Sequence, residues 1–553
     1  MGNNSSNKIL ITGVVAIVLG CFIAYLPAIK AGFIWDDDIY VTANPLLTAP
    51  DGLYRIWLTA DSPSQYFPLT YTTFLIEHKL WGFNPAGYHA VNVGIHIINA
   101  LLIWAILRRL NIPGAWFASA VFALHPVQVE SVAWVTERKN VLMLLFSLLS
   151  ILCWIESVAA DKFGSGNSKN RKKNHLYICS ILFCALALFS KATACTLPIA
   201  LILILWFKGI PFTIRRLEQI IPYIAMGIGI AILVMWWEKH HQGTGFVDLG
   251  LTPADKLIIA GRALWFYLAK VFWPVNLTFS YPRWQIDTDS IAQYARPAGF
   301  CLLIICAWLL RKRLGRGLLA GLLFFSGMLF PMLGFFPLYT FVYSFVADHY
   351  QYMSAIGPIA IVSAGCAYLY RRVGYNQKTI LLSAAGVLLF TLGVLTYRQC
   401  RIYTDKQTLW EDTLNKNRDS WLAQSQLADI SFRQGKLEQA RSYLERTIEL
   451  ASYLRTIHPR AYSDFYSNLA AIDQKQGRLE DAAGNYLKSL EIFENFALTH
   501  YRLAEIFVKL GRPEEAKAHL RRAIEIAEIK KADNLAEELR SRLESLGDAA
   551  GPK

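Results

Sequence analysis

The sequence predicts an all-α protein in two parts, a polytopic membrane bundle of about eleven helices followed by a charged α-solenoid. Three observations carry this reading. Apolar residues fall in separate runs, most of them roughly 17–22 residues and long enough to cross a bilayer, with 113–128, 176–190 and 194–207 shorter. The mean hydropathy is +0.31 and 54% of residues are hydrophobic, too apolar for an ordinary soluble enzyme. Beyond about Tyr397 the composition turns charged, and one motif recurs three times.

The expected spans, in order, are 9–29, 90–107, 113–128, 140–158, 176–190, 194–207, 218–237, 294–310, 317–334, 353–370 and 379–397. The first is longer than the core of a typical secretion signal and more spans follow, so it reads as a retained helix. With the N-terminus in the cytoplasm, Arg108/Arg109, the 162–173 loop, Lys208/Arg215/Arg216, Arg311/Lys312/Arg313/Arg316 and Arg371/Arg372 all fall on one side. That is the positive-inside pattern. It places the net charge of +14 at membrane edges and argues against nucleic acid as a partner. The stretch 257–273 carries Arg262 and Lys270; as a span it would reverse the later loops, so it reads as an interfacial or re-entrant helix in a long outer loop, 238–293. Eight of the nine cysteines lie in or beside apolar runs and read as small buried hydrophobes. No cysteine spacing suggests a disulfide framework or a zinc site.

The tail repeats itself. Leu-Ala pairs stand at 427/428, 469/470 and 503/504, each followed at the same step by Gly435, Gly477 or Gly511, then by Ala440, Ala482 or Ala516. The second and third units are 34 residues apart, the tetratricopeptide period. The first gap is longer, and ASYLRTIHPR absorbs the excess. Three repeats and a final helix near 533–546 suffice for a small solenoid of the kind that binds peptides or partner proteins, or packs on its own membrane domain. The expected domains are 1–397, a connector at 398–420, the solenoid at 421–547 and a tail at 548–553.

The topology gathers the unusual polar residues on one face, in the outer loops 30–89, 129–139, 191–193, 238–293 and 335–352. GFIWDDDIY sets Asp36, Asp37 and Asp38 between aromatics. A hydrated loop often begins with acids. Acids held against apolar surface instead have raised pKa values and can serve as bases. Three neighbouring acids cannot all face one substrate, so two at most do chemistry. His89, Asn92, His96 and Asn99 form one helical stripe, either lining a polar cavity or bonding neighbouring helices. Glu130 and the Glu137-Arg138-Lys139 cluster follow Pro126. Arg138 suits a phosphate fork, or else pairs with Glu137 or snorkels from a helix end. Lys191, Arg262, Asp348, His349 and Tyr350 complete the outer-face set. The adjacent His240 and His241 are poorly spaced for a metal. No Walker loop, GxGxxG, nucleophile elbow or metalloprotease helix occurs. A substrate on this face must then arrive through the lipid.

The ordered set FIWDDDIY, FPLTYTTFLIEHKLWGFNPAGYHAVNVGIHIINALL, FALHPVQVESVAWVTERKNVL, SKATACTLP and VADHYQYMSAIG, followed by the repeats, resembles the transmembrane-and-tetratricopeptide (TMTC-type) proteins of the GT-C glycosyltransferase superfamily. The likeness is co-linear over almost the whole chain. It implies a GT-C membrane domain and a polyprenyl-phosphate-linked sugar as donor, with transfer of mannose or another hexose to a hydroxyl, such as Ser/Thr of a protein bound by the repeats. It implies Asp36 and Asp37 as the catalytic acidic pair, with Asp38 an extra, and an inverting reaction with an aspartate base. Arg138 matches the family's outer-loop arginine; with Lys191 and Arg262 it would hold the donor phosphate. His89, Asn92, Glu130, Asp348, His349 and Tyr350 would position substrate or loop. A lipid monophosphate is already a good leaving group, so no metal is required; a divalent cation, if one binds, would sit beside Asp36 and Asp37. The implied location is a bacterial inner membrane with the repeats in the periplasm, or the ER membrane with lumenal repeats. Two positions depart from the pattern: Lys191 is followed by Ala192 where relatives often have Glu, and His349 stands where they often have Arg. The competing reading is a non-catalytic membrane scaffold whose repeats bind partners.

Overall fold

The computed structural model describes residues 2–59, 65–160, 167–241, 249–336, 338–530 and 532–548. Part of the basic loop expected at 162–173, the side chains of His240 and His241, residues 242–248 of the second outer loop and the tail from 549 lie outside the described part. The described residues form helices and no strand. They divide into two compact units, one running to Leu409 and the other starting at Trp410.

Among the described residues of the first unit, six helices are long and apolar enough to cross a bilayer: Pro85–Arg109, Val135–Ala159, Lys173–Ser190, Ile214–Trp237, Ile291–Leu314 and Tyr375–Tyr403. The expected spans at 9–29, 113–128, 194–207 and 317–334 correspond to shorter apolar helices, Leu10–Ala24, Ala115–Leu124, Ala192–Phe207 and Gly317–Met332. The shortest has a clear cause. His125 leaves the helical conformation, its Nδ1 accepts from the Val127 N–H at 3.3 Å, and Pro126 opens a separate turn. Proline has no N–H to continue the ladder, so the helix ends four residues before the expected boundary.

The stretch around Arg262 is a helix, Pro253–Phe272, started by a reciprocal cap between Thr252 and Asp255. One face buries Ile258, Ile259, Ala263 and Tyr267, while Leu257, Trp265 and Phe272 stay exposed. This two-sidedness is what an interfacial helix requires.

The first loop is built around short helices, chiefly Pro68–Trp81. Its apolar centre comprises Tyr40, Leu46, Phe67, Tyr71, Phe74 and Tyr88. Residues 31–38 enter it through a strained turn, in which Trp35 has φ +42°. A bulky residue rarely takes this left-handed conformation, which costs on the order of 1–3 kcal/mol and is found where surrounding contacts enforce it. Gly32 N–H donates to Thr404 O at 2.9 Å, fastening the start of the loop to the segment after the last span.

The second unit pairs Trp421–Arg433 with Leu437–Leu450, Pro459–Lys475 with Leu479–Ile492, and Ala497–Lys509 with Pro513–Ile529, and ends in Asp533–Asp548. The turn glycines Gly435, Gly477 and Gly511 have φ of +76°, +76° and +71°, the left-handed turn that glycine adopts without a Cβ clash. The short helix Leu454–Ile457 takes up the extra length of the first repeat. Ala470, Ala482, Ala504 and Ala516 are buried between paired helices, where only a small side chain allows such close approach.

Candidate active site

The three neighbouring aspartates have three different environments. Asp37 is fully buried. One of its oxygens accepts from the Thr136 N–H at 2.8 Å and the Thr136 hydroxyl at 2.6 Å, and the other accepts from the Ile34 N–H at 2.9 Å. Asp38 is half-exposed and pairs with Lys406 and the Thr42 hydroxyl. The Asp36 carboxylate is only partly buried and accepts no hydrogen bond among the described residues. Burial pushes Asp36 up to about 6; Lys139 and His349 oppose the rise and Glu137 adds to it. Burial pushes Asp37 up to about 7 against the pull of the Ile34 and Thr136 donors. The alternation of the loop thus turns one acid inward as a fastener, one outward to a surface pair, and one towards a cluster of charged groups.

That cluster is centred on Glu137. Its carboxylate meets Lys139 Nζ at 2.9 Å and Lys191 Nζ at 3.5 Å, with His349 Nε2 at 3.9 Å. Lys191 Nζ also donates to Asn140 Oδ1 at 2.8 Å. Burial lowers Lys191 to about 8, with Glu137 opposing the fall. Glu130 grips His349 twice, accepting from its backbone N–H at 3.0 Å and lying 3.0 Å from Nδ1. With Nδ1 directed at Glu130, the ring presents Nε2 to the cluster. Lys139 is boxed by the rings of Tyr40, Trp134 and Phe67, 5.1–5.9 Å from their centres. Such aromatic faces stabilise a cation in a dry site. A small cavity opens here between Lys191, Asn140, His349 and Tyr350.

Arg138 is not part of this cavity. It is fully buried, and its guanidinium forks onto Glu77, donates to Asn92 Oδ1, and reaches Tyr88 O at 2.8 Å and the Thr73 hydroxyl at 3.3 Å. All five N–H groups are spent on protein acceptors, which leaves none for a phosphate. The sequence-level assignment is corrected accordingly: Arg138 is the clasp that joins the first loop to Pro85–Arg109. Arg262 is also elsewhere, with its guanidinium 4.6 Å above the Trp284 ring and bonded to Gln285 O at 3.1 Å.

The His/Asn stripe is occupied in the same way. His89 Nε2 lies 3.3 Å from Gly32 O, and Asn92 Nδ2 donates to Trp134 O at 3.2 Å. His96 bridges the Tyr352 hydroxyl and Ala123 O, and Asn99 donates to Val141 O. Through these bonds His89 and Asn92 tie the helix Pro85–Arg109 to Gly32 and Trp134. Asp348 accepts from the Tyr281 hydroxyl at 3.0 Å, and Tyr350 meets the Thr340 hydroxyl at 2.5 Å.

Sequence reasoning passed over Lys139, Asn140, Thr136 and Glu77 as individual site groups. Lys139 had a signal, since it sits next to Arg138 on the outer side. Adjacent helical residues point about 100° apart, so the two cations serve different places. Thr136 and Glu77 had none, because their partners lie 99 and 61 residues away.

Residues 68–237 match the family described as dolichyl-phosphate-mannose-protein mannosyltransferase, and residues 421–495 and 461–529 match the tetratricopeptide repeat. Among curated proteins, the chain is 27% identical over 286 residues to the Caenorhabditis elegans protein O-mannosyl-transferase F38B6.6, covering 47% of this chain and 37% of that protein. It is 33% identical over 185 residues to the human protein O-mannosyl-transferase TMTC4, covering 29% and 24%. The chain thus spans well under half the length of these curated relatives. Among solved structures, ArnT from Cupriavidus metallidurans bound to undecaprenyl phosphate aligns with a TM-score of 0.36 and 12% identity, over 84% of this chain and 80% of that one.

Proposed function

We propose that the chain is a TMTC-type glycosyltransferase of the GT-C membrane class. It moves mannose or another hexose from a polyprenyl-phosphate carrier to a hydroxyl, with Ser/Thr of a protein as the leading acceptor. The reading rests on the family match, on relatives named protein O-mannosyltransferases, and on the site. The single observation that carries it is the contrast between Asp36 and its neighbours: an acid with no hydrogen-bond donor, held in the electrostatic reach of Lys139 and His349.

In this mechanism the Asp36 carboxylate accepts the proton of the acceptor hydroxyl as its oxygen attacks the anomeric carbon. The bond from that carbon to the phosphate oxygen breaks, the sugar inverts, and the polyprenyl phosphate departs with the electron pair. A base with a pKa near 6 is largely ionised at neutral pH yet still basic enough to take the proton. Lys139 and Lys191 each keep N–H groups beyond those given to Glu137 and Asn140, and these offset the charge growing on the phosphate. Cations fixed in advance in a dry site need no reorganisation during the reaction. Asp37 acts through structure, holding the backbone that aims Asp36. The repeats recruit the acceptor, and the outer face is the periplasmic or lumenal one.

The test is transfer from a labelled polyprenyl-phosphate hexose to a Ser/Thr-containing protein by purified full-length chain, compared with Asp36→Asn. Transfer by the wild type and its loss in the variant supports the base role. Undiminished transfer in Asp36→Asn overturns that role, and no transfer by the wild type from any of several donors favours the membrane scaffold.

A further inference from the structure

We propose that the first unit binds an anionic phospholipid in a second, separate cavity, with an acyl chain inside the helical bundle and the phosphate at Arg313 and Arg316. The cavity has a volume of about 670 Å³ and lies between the helices Pro85–Arg109, Leu197–Phe207, Gly317–Leu329 and Ile356–Arg372. Volumes of this size are ordinary for small-molecule sites. None of Asp36, Asp37, Lys139, Lys191 or His349 lines it. It opens at the far ends of these helices. Pro85–Arg109 begins beside His89, at the carboxylate end, and contributes to the cavity only from Ile103 onward.

Depth, shape and charge together select the occupant. Along Ile356–Arg372 the lining runs from Ile356 to Tyr368. At 1.5 Å per residue that is about 18 Å, close to one leaflet of a hydrocarbon core that is about 30 Å thick. The deep end is apolar, with Leu148, Ala200 and Phe324. The polar lining residues Asn111, Arg313, Arg316 and Tyr368 all come from the ends of their elements at the mouth, and no acid lines any part of the wall. A groove polar at one end and one leaflet deep fits a lipid. A peptide or helix would need polar partners along its length or a span of the whole membrane. The cationic mouth selects an anionic headgroup over a zwitterionic one, since the positive charge at the rim has no acid in the wall to neutralise it.

Two details show that the site is built. Arg316 is held at the rim by its bond to Trp206 O at 2.5 Å, with its guanidinium 5.5 Å above the Trp206 ring. Gly365 lines the cavity and a Cβ added there would meet nothing within 4 Å, so leucine at this position is the variant that takes up space beside it.

The experiment uses full-length protein in a neutral maltoside detergent, with native mass spectrometry and thermal melting. Dioleoyl phosphatidylglycerol is compared with dioleoyl phosphatidylcholine. The expected result is a one-to-one phosphatidylglycerol adduct and a raised melting temperature, both absent with phosphatidylcholine. Gly365→Leu and the Arg313→Gln/Arg316→Gln pair are expected to lose the adduct and the shift while melting like the lipid-free wild type. Equal binding of both lipids overturns the headgroup assignment. An adduct that survives Gly365→Leu overturns the cavity assignment. Stoichiometric displacement of phosphatidylglycerol by undecaprenyl phosphate assigns the cavity to the sugar carrier instead and overturns the proposal.

Discussion

Thr136 gives two hydrogen bonds to one oxygen of Asp37, from its backbone N–H at 2.8 Å and its hydroxyl at 2.6 Å. This pair of hydrogen bonds between residues 99 positions apart fixes the first loop against the turn that precedes Lys139. It separates two acids that the sequence presents as equivalent. Asp37→Ala strands buried donors, at a cost of about 1–3 kcal/mol. Asp36→Asn is expected to leave the melting temperature unchanged and to cut turnover by about 10²–10⁴. Melting curves and single-turnover transfer on the same preparations check this; matching stability losses in the two variants would contradict the division of labour.

The pH dependence follows from two neighbouring groups. Asp36 must be ionised to accept a proton, so activity rises as pH increases through about 6. Lys191 must be charged to offset the phosphate, so activity falls as pH increases through about 8. The kcat/KM profile is expected to be bell-shaped between these limits. Lys191→Arg removes the titration, because guanidinium stays charged, and shifts the alkaline limb upward. An alkaline limb that does not move in that variant would assign it to another group.

Arg138→Met is expected to destabilise the protein by about 3–5 kcal/mol, because it leaves the buried Glu77 carboxylate without its partner. Burial already raises the pKa of Glu77 even with Arg138 present. The double variant Arg138→Met/Glu77→Leu recovers most of that loss. Denaturant unfolding in detergent measures it. A phosphate-binding arginine would behave differently, raising the KM for the donor with no rescue from a change at Glu77.

Lys406 and Asp38 form an ion pair with both side chains about two-fifths exposed, at 41% and 45%. Exposed pairs contribute about 0–1 kcal/mol. Asp38→Ala is therefore expected to change neither the melting temperature nor the transfer rate by more than a small amount. A loss of activity comparable with Asp36→Asn would place Asp38 in the reaction.

Much of this protein was legible along the chain because its helices are coded locally. Apolar runs located the helices of the first unit, and the Leu-Ala/Gly/Ala rhythm located each helical pair of the second. The helix Ala115–Leu124 stops at His125-Pro126 although apolar residues continue past it, so apolar length alone overstates its extent. The site was legible only in part. GFIWDDDIY flagged the right loop, but nothing in three identical residues says which one turns inward. That is decided by Thr136 and by the left-handed Trp35, neither of which has a periodic signature. Arg138 looked like a phosphate ligand because an isolated cation near a membrane surface invites an anion. Its anion was Glu77, on a different helix.

The partners of Arg138 also set an order in time. Thr73, Glu77, Tyr88 and Asn92 all come earlier in the chain than the guanidinium that joins them. Glu77 precedes it by 61 residues. At the usual 5–20 residues per second of synthesis, Glu77 waits roughly 3–12 s for its counter-charge. During that interval the first loop has been made but has nothing to close on. The first loop is thus made before the residue that clasps it, which arrives only when synthesis has reached the helix Arg138–Ala160.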